Sequence, residues 1–301
     1  DQVTVPFKEE KPFDIKDYNL SEYDLRNLRR MKVQGIKTLA GTMAPAPAKH
    51  GELESLRGGL EYFKERGILQ VCLQPKFMGS RGHAYIFHNS DLNFIVSRGG
   101  YTVKFPEVVE LAKTLTDKFS YLLSFIDTVP EEETVPALII DSELMPWSIF
   151  EQGSFISREF RSYIAAAEYE VNQLHNDPVF KTLKFGSRNV VQKTDELVEG
   201  IQVFNKNLDF FAKEGDKPYL QPFDILWQRS GKEQLVSMNN HEKYSLLNMD
   251  PETGFQALSL DLSDENFEEA VNQATKYYEH YAFDLGMEGI VIKPLVEEPG
   301  K

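Results

Sequence analysis

The chain has 301 residues, with 33 Lys+Arg against 47 Asp+Glu for a formal charge of −14, and 41% of it is hydrophobic. That composition can bury the core of one large domain or two smaller ones, excludes wholesale disorder, and counts against non-specific coating of nucleic acid. Its one cysteine, Cys72, excludes an internal disulfide framework or a cysteine-built zinc site, and apolar stretches such as Val135–Ile140 fall far short of a membrane span. With no signal-like apolar segment at the N-terminus, a soluble cytoplasmic protein in a reducing compartment, with no membrane partner, is the expectation.

Asp1–Pro12 mixes charge and proline and reads as a loose arm. Ser21–Lys32 reads as a helix with Ser21 as N-cap and Asp24 at the third position. Its basic end (Arg26, Arg29, Arg30, Lys32) is the densest cationic cluster, either a solvated helix face or a contact for a phosphate backbone. Thr42–His50, with Pro45 and Pro47, is a linker or clamp; residues 1–50 are taken as an N-terminal extension. Leu53–Glu65 carries Leu56, Leu60 and Phe63 on one helical face and is closed by Gly67.

Short strands follow. Ile68–Leu73 is apolar, Ala84–His88 and Asn93–Ser97 flank an Asn89-Ser90-Asp91 turn as a hairpin, and Pro136–Leu144 is a buried strand. Gly153–Phe185 and Gln192–Lys213 are helical, so residues 149–216 read as an inserted module within a domain spanning 51–301. Strands at Tyr219–Trp227 and Gln234–Ser237, a helix from Ser263 to about Leu285 and a strand at Gly289–Lys293 complete an α+β pattern of antiparallel strands.

The sequence has neither a G-x-x-x-x-G-K-[ST] loop nor G-x-G-x-x-G, and its six histidines lack metal-ligand spacing. Any chemistry must therefore run on Lys, Arg and carboxylates. In Gln74-Pro75-Lys76-Phe77-Met78-Gly79-Ser80-Arg81 a strand delivers a lysine beside a glycine that permits close backbone approach, an arrangement suited to a nucleophile facing a phosphate. Asp141 and Glu143, two apart on one strand, share a face and require a positive partner. In Glu288-Gly289-Ile290-Val291-Ile292-Lys293-Pro294, Ile290 and Ile292 face one way and Val291 and Lys293 the other.

In this order the segments resemble the covalent nucleotidyltransferases, that is, ATP-dependent DNA and RNA ligases and mRNA capping enzymes. Lys76-Phe77-Met78-Gly79 is similar to motif I, Ser97-Arg98-Gly99-Gly100 to motif Ia, and Asp141-Ser142-Glu143 to motif III. Pro222-Phe223-Asp224 is similar to motif IIIa and Glu288-Gly289-Ile290-Val291 to motif IV. The Lys-x-Met-Gly-Ser-Arg form of motif I and the Glu-Leu-Met-Pro-Trp-Ser run most resemble the ligase domain of bacterial polynucleotide kinase-phosphatase RNA repair enzymes. Two features depart from the family. Gln74 stands where glutamate is usual, and the motif V lysine pair lies farther beyond motif IV than the thirteen residues after Glu288. With no kinase or phosphatase module in the chain, a stand-alone ligase or an excised domain is expected.

The resemblance implies an adenylation domain with an inserted helical module and an N-terminal helical extension. It implies that Lys76 takes AMP from ATP, that AMP passes to a 5′-phosphate, and that a 3′-hydroxyl displaces it to seal the strand. It further implies that Gln74, Arg81, Arg98, Glu143, Phe223, Glu288 and Lys293 bind the nucleotide, that Phe223 stacks on the base, and that Glu143 and Glu288 serve Mg2+ or Mn2+. RNA or DNA strand ends and end-processing or RNA-modifying repair proteins are the implied partners. A guanylyltransferase that caps RNA and a non-catalytic subunit that binds nucleotides or RNA ends remain open alternatives at this point.

Overall fold

The computed structural model describes residues 19–26, 28, 41, 43–127, 129–149, 151–182, 184–185, 188–211, 217–249 and 255–297. The chain divides into two units, residues 1–38 and 39–301. In the first, residues 22–26 are helical, and Ser21 and Asp24 cap reciprocally as expected: Asp24 N donates to Ser21 Oγ and Ser21 N to Asp24 Oδ2, both at 3.2 Å. Arg26 is exposed; Arg29, Arg30 and Lys32 of the basic cluster lie outside the described residues.

The second unit runs in the order α1 (Leu56–Glu65), β1 (Gln70–Lys76), β2 (Ser80–Ile86), β3 (Phe94–Ser97), α2 (Pro106–Lys118), α3 (Ser120–Leu123), β4 (Leu138–Met145), α4 (Glu151–Asn176), β5 (Lys184–Phe185) and β6 (Arg188–Asn189). It continues with α5 (Val190–Phe211), β7 (Tyr219–Gln228), α6 (Asn240–Leu247), β8 (Leu258–Asp261), α7 (Phe267–Glu279) and β9 (Gly289–Pro294). Two antiparallel sheets carry the α+β fold that the sequence predicts: β8–β1–β9, and β3–β2–β4–β7.

Each sheet buries one face under helices. Val71, Leu73 and Leu260 of the first sheet pack with Leu60 of α1 and Phe267, Ala270 and Ala274 of α7. Ala84, Ile95, Ile140 and Ile225 of the second pack with Val108, Ala112 and Leu115 of α2 and Leu247 of α6. Burying each Val, Leu, Ile or Phe side chain here contributes about 1.5–3 kcal/mol, so these two clusters hold the sheets. A third cluster, Phe77, Met145, Ile164, Leu208, Tyr281 and Met287, joins helices α4 and α5 to the ends of β1 and β4. Because β1 lies in one sheet and β2 in the other, the short connection 77–79 passes between them.

Several elements differ from expectation. Helix α1 starts three residues later than Leu53, because the fully buried Ser55 caps it by accepting from Gly58 N (3.1 Å). Helix α4 ends at Asn176, where Asp177 takes Val179 N onto its own carboxylate (2.7 Å) in an Asx turn across Pro178. Gln234–Ser237 is not a strand but a 3₁₀ turn over Leu235–Ser237. The Gln228 amide captures the backbone there, accepting from Leu235 N (2.6 Å) and donating to Glu233 O (2.7 Å). The last long helix begins at Phe267 because Asp261 holds Ser263 N (2.9 Å) and Asn266 Nδ2 (3.0 Å) in a turn. Helices α2 and α6 and strand β8 lie in stretches for which the sequence reading assigned no element.

Candidate active site

A cleft of about 830 Å³ is lined by residues of both sheets. Into it project all eight of the sequence-predicted site residues: Gln74, Lys76, Arg81, Arg98, Glu143, Phe223, Glu288 and Lys293. The volume lies within the range of about 300–1,000 Å³ usual for small-molecule sites. Four cations and three aromatic side chains (Phe77, Trp147 and Phe223) on its walls suit a ligand that carries both phosphates and a base.

The strand alternation explains the lysines. On β1, Val71 and Leu73 enter the core, which leaves Gln74 and the strand-end Lys76 on the cleft side. On β9, Ile290 and Ile292 pack on the first-sheet core while Val291 and Lys293 line the cleft, as their spacing predicts. The register pairs Lys76 with Gly289, so Lys76 Nζ meets the Glu288 carboxylate in an ion pair. Gln74 is buried and reaches Asn240 O with its amide nitrogen at 3.4 Å.

Gly79 fixes the turn after Lys76. A Cβ there would sit 2.6 Å from Met145 Sδ and 2.7 Å from Leu144 O, so only glycine lets the connection lie against β4. The same approach lets Gly79 N donate to Glu143 Oε1 (3.1 Å). Arg81 is the positive partner that the two same-face carboxylates require. Its Nε and Nη2 clasp Asp141 (2.9 Å for the first), and Nη1 donates to Gly41 O at 2.7 Å. Met43, from the proline-bearing segment, also lines the cleft. Phe223 has Lys293 Nζ 5.2 Å and Arg81 Cζ 5.8 Å from its ring centre. Arg98 is exposed in the turn that ends β3, where Gly100 (φ +83°) reverses the chain.

Burial and charge perturb these groups. Desolvation pushes the Glu143 carboxyl up to about 7, the Gly79 N–H opposes this, and the nearby Glu288 charge adds to the rise. Asp141 goes the other way: burial alone would raise it, but hydrogen bonds from His83 and Arg81 hold it below the ordinary carboxylate range. Burial lowers Lys293, against the opposing charges of Asp224 and Asp141. Cys72, wholly buried, has its thiol pushed up to about 11 by desolvation and takes no part.

A carboxyl raised on folding binds its proton more tightly in the folded state. Glu143 therefore costs stability as pH climbs from the ordinary carboxylate range through 7. Metal-free Glu143→Gln is expected to exceed wild type by on the order of 2 kcal/mol at about pH 8 and to match it near pH 4. Urea melts at the two pH values check this, and an equal difference at both contradicts it.

The sequence reading missed Lys243. It is buried on α6, with Nζ 2.7 Å from Asp224 Oδ1, and its charge bears on Lys293. The Asn239-x-x-Glu242 capping box could have revealed the helix, since Asn239 Oδ1 accepts from Glu242 N at 2.8 Å, but no sequence signal reveals the lysine's burial. Among the described residues no group of three or more metal-ligating side chains forms. Among the described residues that line the cleft, Glu143 and Glu288 bring the carboxylates, which matches magnesium's habit of taking one or two carboxylates with substrate phosphates and water.

A family model described as the PNKP adenylyltransferase domain, ligase domain, matches residues 30–299. The chain belongs to this family. It is thus a nucleotidyltransferase domain of the ligase kind, an enzyme, and the sequence resemblance stands. Two solved structures share the fold. A chain described in the structure of a Pnkp1/Rnl/Hen1 complex superposes with a TM-score of 0.63 at 24% identity, covering 92% of this chain and 77% of that one. A chain of the Pnkp1/Rnl/Hen1 RNA repair complex gives 0.61 at 24%, covering 93% and 78%. No curated protein matches this family member significantly. No helix among its described residues is long and apolar enough to cross a membrane.

Proposed function

We propose that this chain is an ATP-dependent RNA ligase domain that works through a covalent Lys76–AMP intermediate. The observation that carries the reading is Lys76 Nζ, half exposed at the end of β1 and held by Glu288 in a cleft rimmed by Arg81, Arg98 and Lys293. Lys76 attacks the α-phosphorus of ATP, an N–P bond forms, and the bond to pyrophosphate breaks. Because a lysine amine attacks only as the free base, its proton must leave, and Glu288 is the base it already contacts. Arg81, Arg98 and Lys293 balance phosphate charge, and Phe223 offers its face to the base. Glu143 and Glu288 would hold a divalent cation brought in with the triphosphate, which supplies charge neutralisation when bound. A strand's 5′-phosphate then takes AMP from Lys76, and a 3′-hydroxyl displaces it.

The RNA preference rests on the motif resemblance and on the shared fold with chains of an RNA repair complex. The same likeness supports work beside end-processing partners, and the lone buried Cys72 suits a reducing cytoplasm. The test is sealing of matched RNA and DNA strands bearing 5′-phosphate and 3′-hydroxyl ends, with ATP or GTP and Mg2+ or Mn2+. RNA joined with ATP is the expected product. Sealing of DNA alone overturns the substrate, and protein labelling by GTP alone makes it a capping-type enzyme.

A further inference from the structure

None of the three chemical steps uses the helical insert, yet one turn of α5 touches both sides of the Lys76–Glu288 pair. Asn207 Nδ2 donates to Gly286 O (2.6 Å) and Met287 O (3.1 Å), the two carbonyls immediately before Glu288. An amide nitrogen has two hydrogens, so each carbonyl takes one. Gly286, at φ +73°, lies so close to α5 that a Cβ would be 2.7 Å from Lys206 Cβ and 2.8 Å from the Lys206 carbonyl carbon. Three residues on, Phe210 meets Phe77, the residue after Lys76, with ring centres 6.0 Å apart. Between them the fully buried Leu208 packs in one cluster with Phe77 and Met287. The turn at 285–287 also returns to the main domain, with Met287 N donating to Tyr281 O at 2.9 Å.

We infer that Lys206, Asn207, Leu208 and Phe210 of α5 position the Lys76–Glu288 pair, with Asn207 as the positioning residue that aims Glu288 at the lysine. The inference rests on the adenylation reading for its catalytic consequence, although not for its geometry. Removing the two donors leaves two carbonyls at a packed turn unpaired, so the backbone that launches Glu288 shifts. Displacements on the order of 1 Å far from the reacting atoms can cost about a hundredfold in rate.

The experiment uses the full chain with Asn207→Ala, the isosteric Asn207→Asp, and Arg161→Ala as a control. Arg161 pairs with Asp209 at 3.0 Å across α4 and α5, away from the Asn207 amide and its two carbonyls. Two readouts are taken: single-turnover formation of the Lys76 adduct against ATP concentration, and amide hydrogen exchange over 281–289. Both Asn207 variants should form the adduct about ten- to a hundredfold more slowly at saturating ATP, with an unchanged half-saturation concentration. They should exchange faster over 281–289 only, while Arg161→Ala behaves as wild type. Wild-type exchange in the Asn207 variants overturns the positioning claim whatever the protein does with ATP. An equal slowing in Arg161→Ala also overturns it, because the effect then belongs to the insert's general stability. Faster exchange in the variants of a protein whose wild type forms no adduct upholds the positioning and counts against the adenylation reading alone.

Discussion

Lys76→Ala should fold like wild type, form no covalent nucleotide adduct and lose ATP-dependent sealing. The lysine is half exposed and pairs with Glu288, so its removal deletes an ion pair of the exposed kind, worth about 0–1 kcal/mol. Thermal melting should therefore barely move while adduct formation disappears. Lys76→Arg separates charge from chemistry: the guanidinium keeps the contact with Glu288 but cannot shed its proton to become a nucleophile. It too should form no adduct. Both variants should still seal a strand whose 5′-phosphate already carries AMP, because in the proposed mechanism that step needs the 3′-hydroxyl but no amine. Residual adduct in either variant, found by mass spectrometry of the intact protein, contradicts the assignment of Lys76.

Asp141→Ala should be the most destabilising change in the site. Asp141 is 2% exposed, accepts the Arg81 guanidinium on both oxygens and lies 3.2 Å from His83 Nε2. Alanine leaves the largely buried Arg81 without its counter-charge, and breaking such a pair from one side costs about 3–5 kcal/mol. The acid-side behaviour follows from the depressed Asp141 carboxyl. A group whose folded pKa lies below its unfolded value adds stability above the unfolded value and loses it as pH falls through the folded one. The gap between wild type and Asp141→Ala should therefore be full near neutrality and narrow as the solution is acidified below the ordinary carboxylate range. Denaturant melts across that window check the point, and a neutral-pH cost below about 1 kcal/mol, the scale of an exposed pair, contradicts it.

The cleft was more legible in the sequence than the scaffold around it, for a physical reason. Strand alternation is a local rule with a period of two, so the spacing of Val291 and Lys293, or of Asp141 and Glu143, settles which side chains share a face. The tertiary fold then had only to bring together faces already sorted, as it does with Arg81 against Asp141. Elements were lost where a side chain overrides backbone preference. Gln228 turns an apparent strand at 234–237 into a 3₁₀ turn, and Asp261 delays a helix start by occupying Ser263 N. Contacts between distant segments left no trace at all. The burial of Lys243 shows only once α6 is seen packed on β7, and the contact made by Asn207 only once Gly286 is seen against α5.

The most direct test of the central claim is peptide mapping of the wild-type protein after incubation with labelled ATP and a divalent cation. A parallel sample receives labelled GTP. The expected result is an AMP-sized increment on the peptide containing Lys76, released by pyrophosphate and absent from the GTP sample. An increment on any other residue, or no increment with either nucleotide, contradicts a covalent Lys76–AMP ligase.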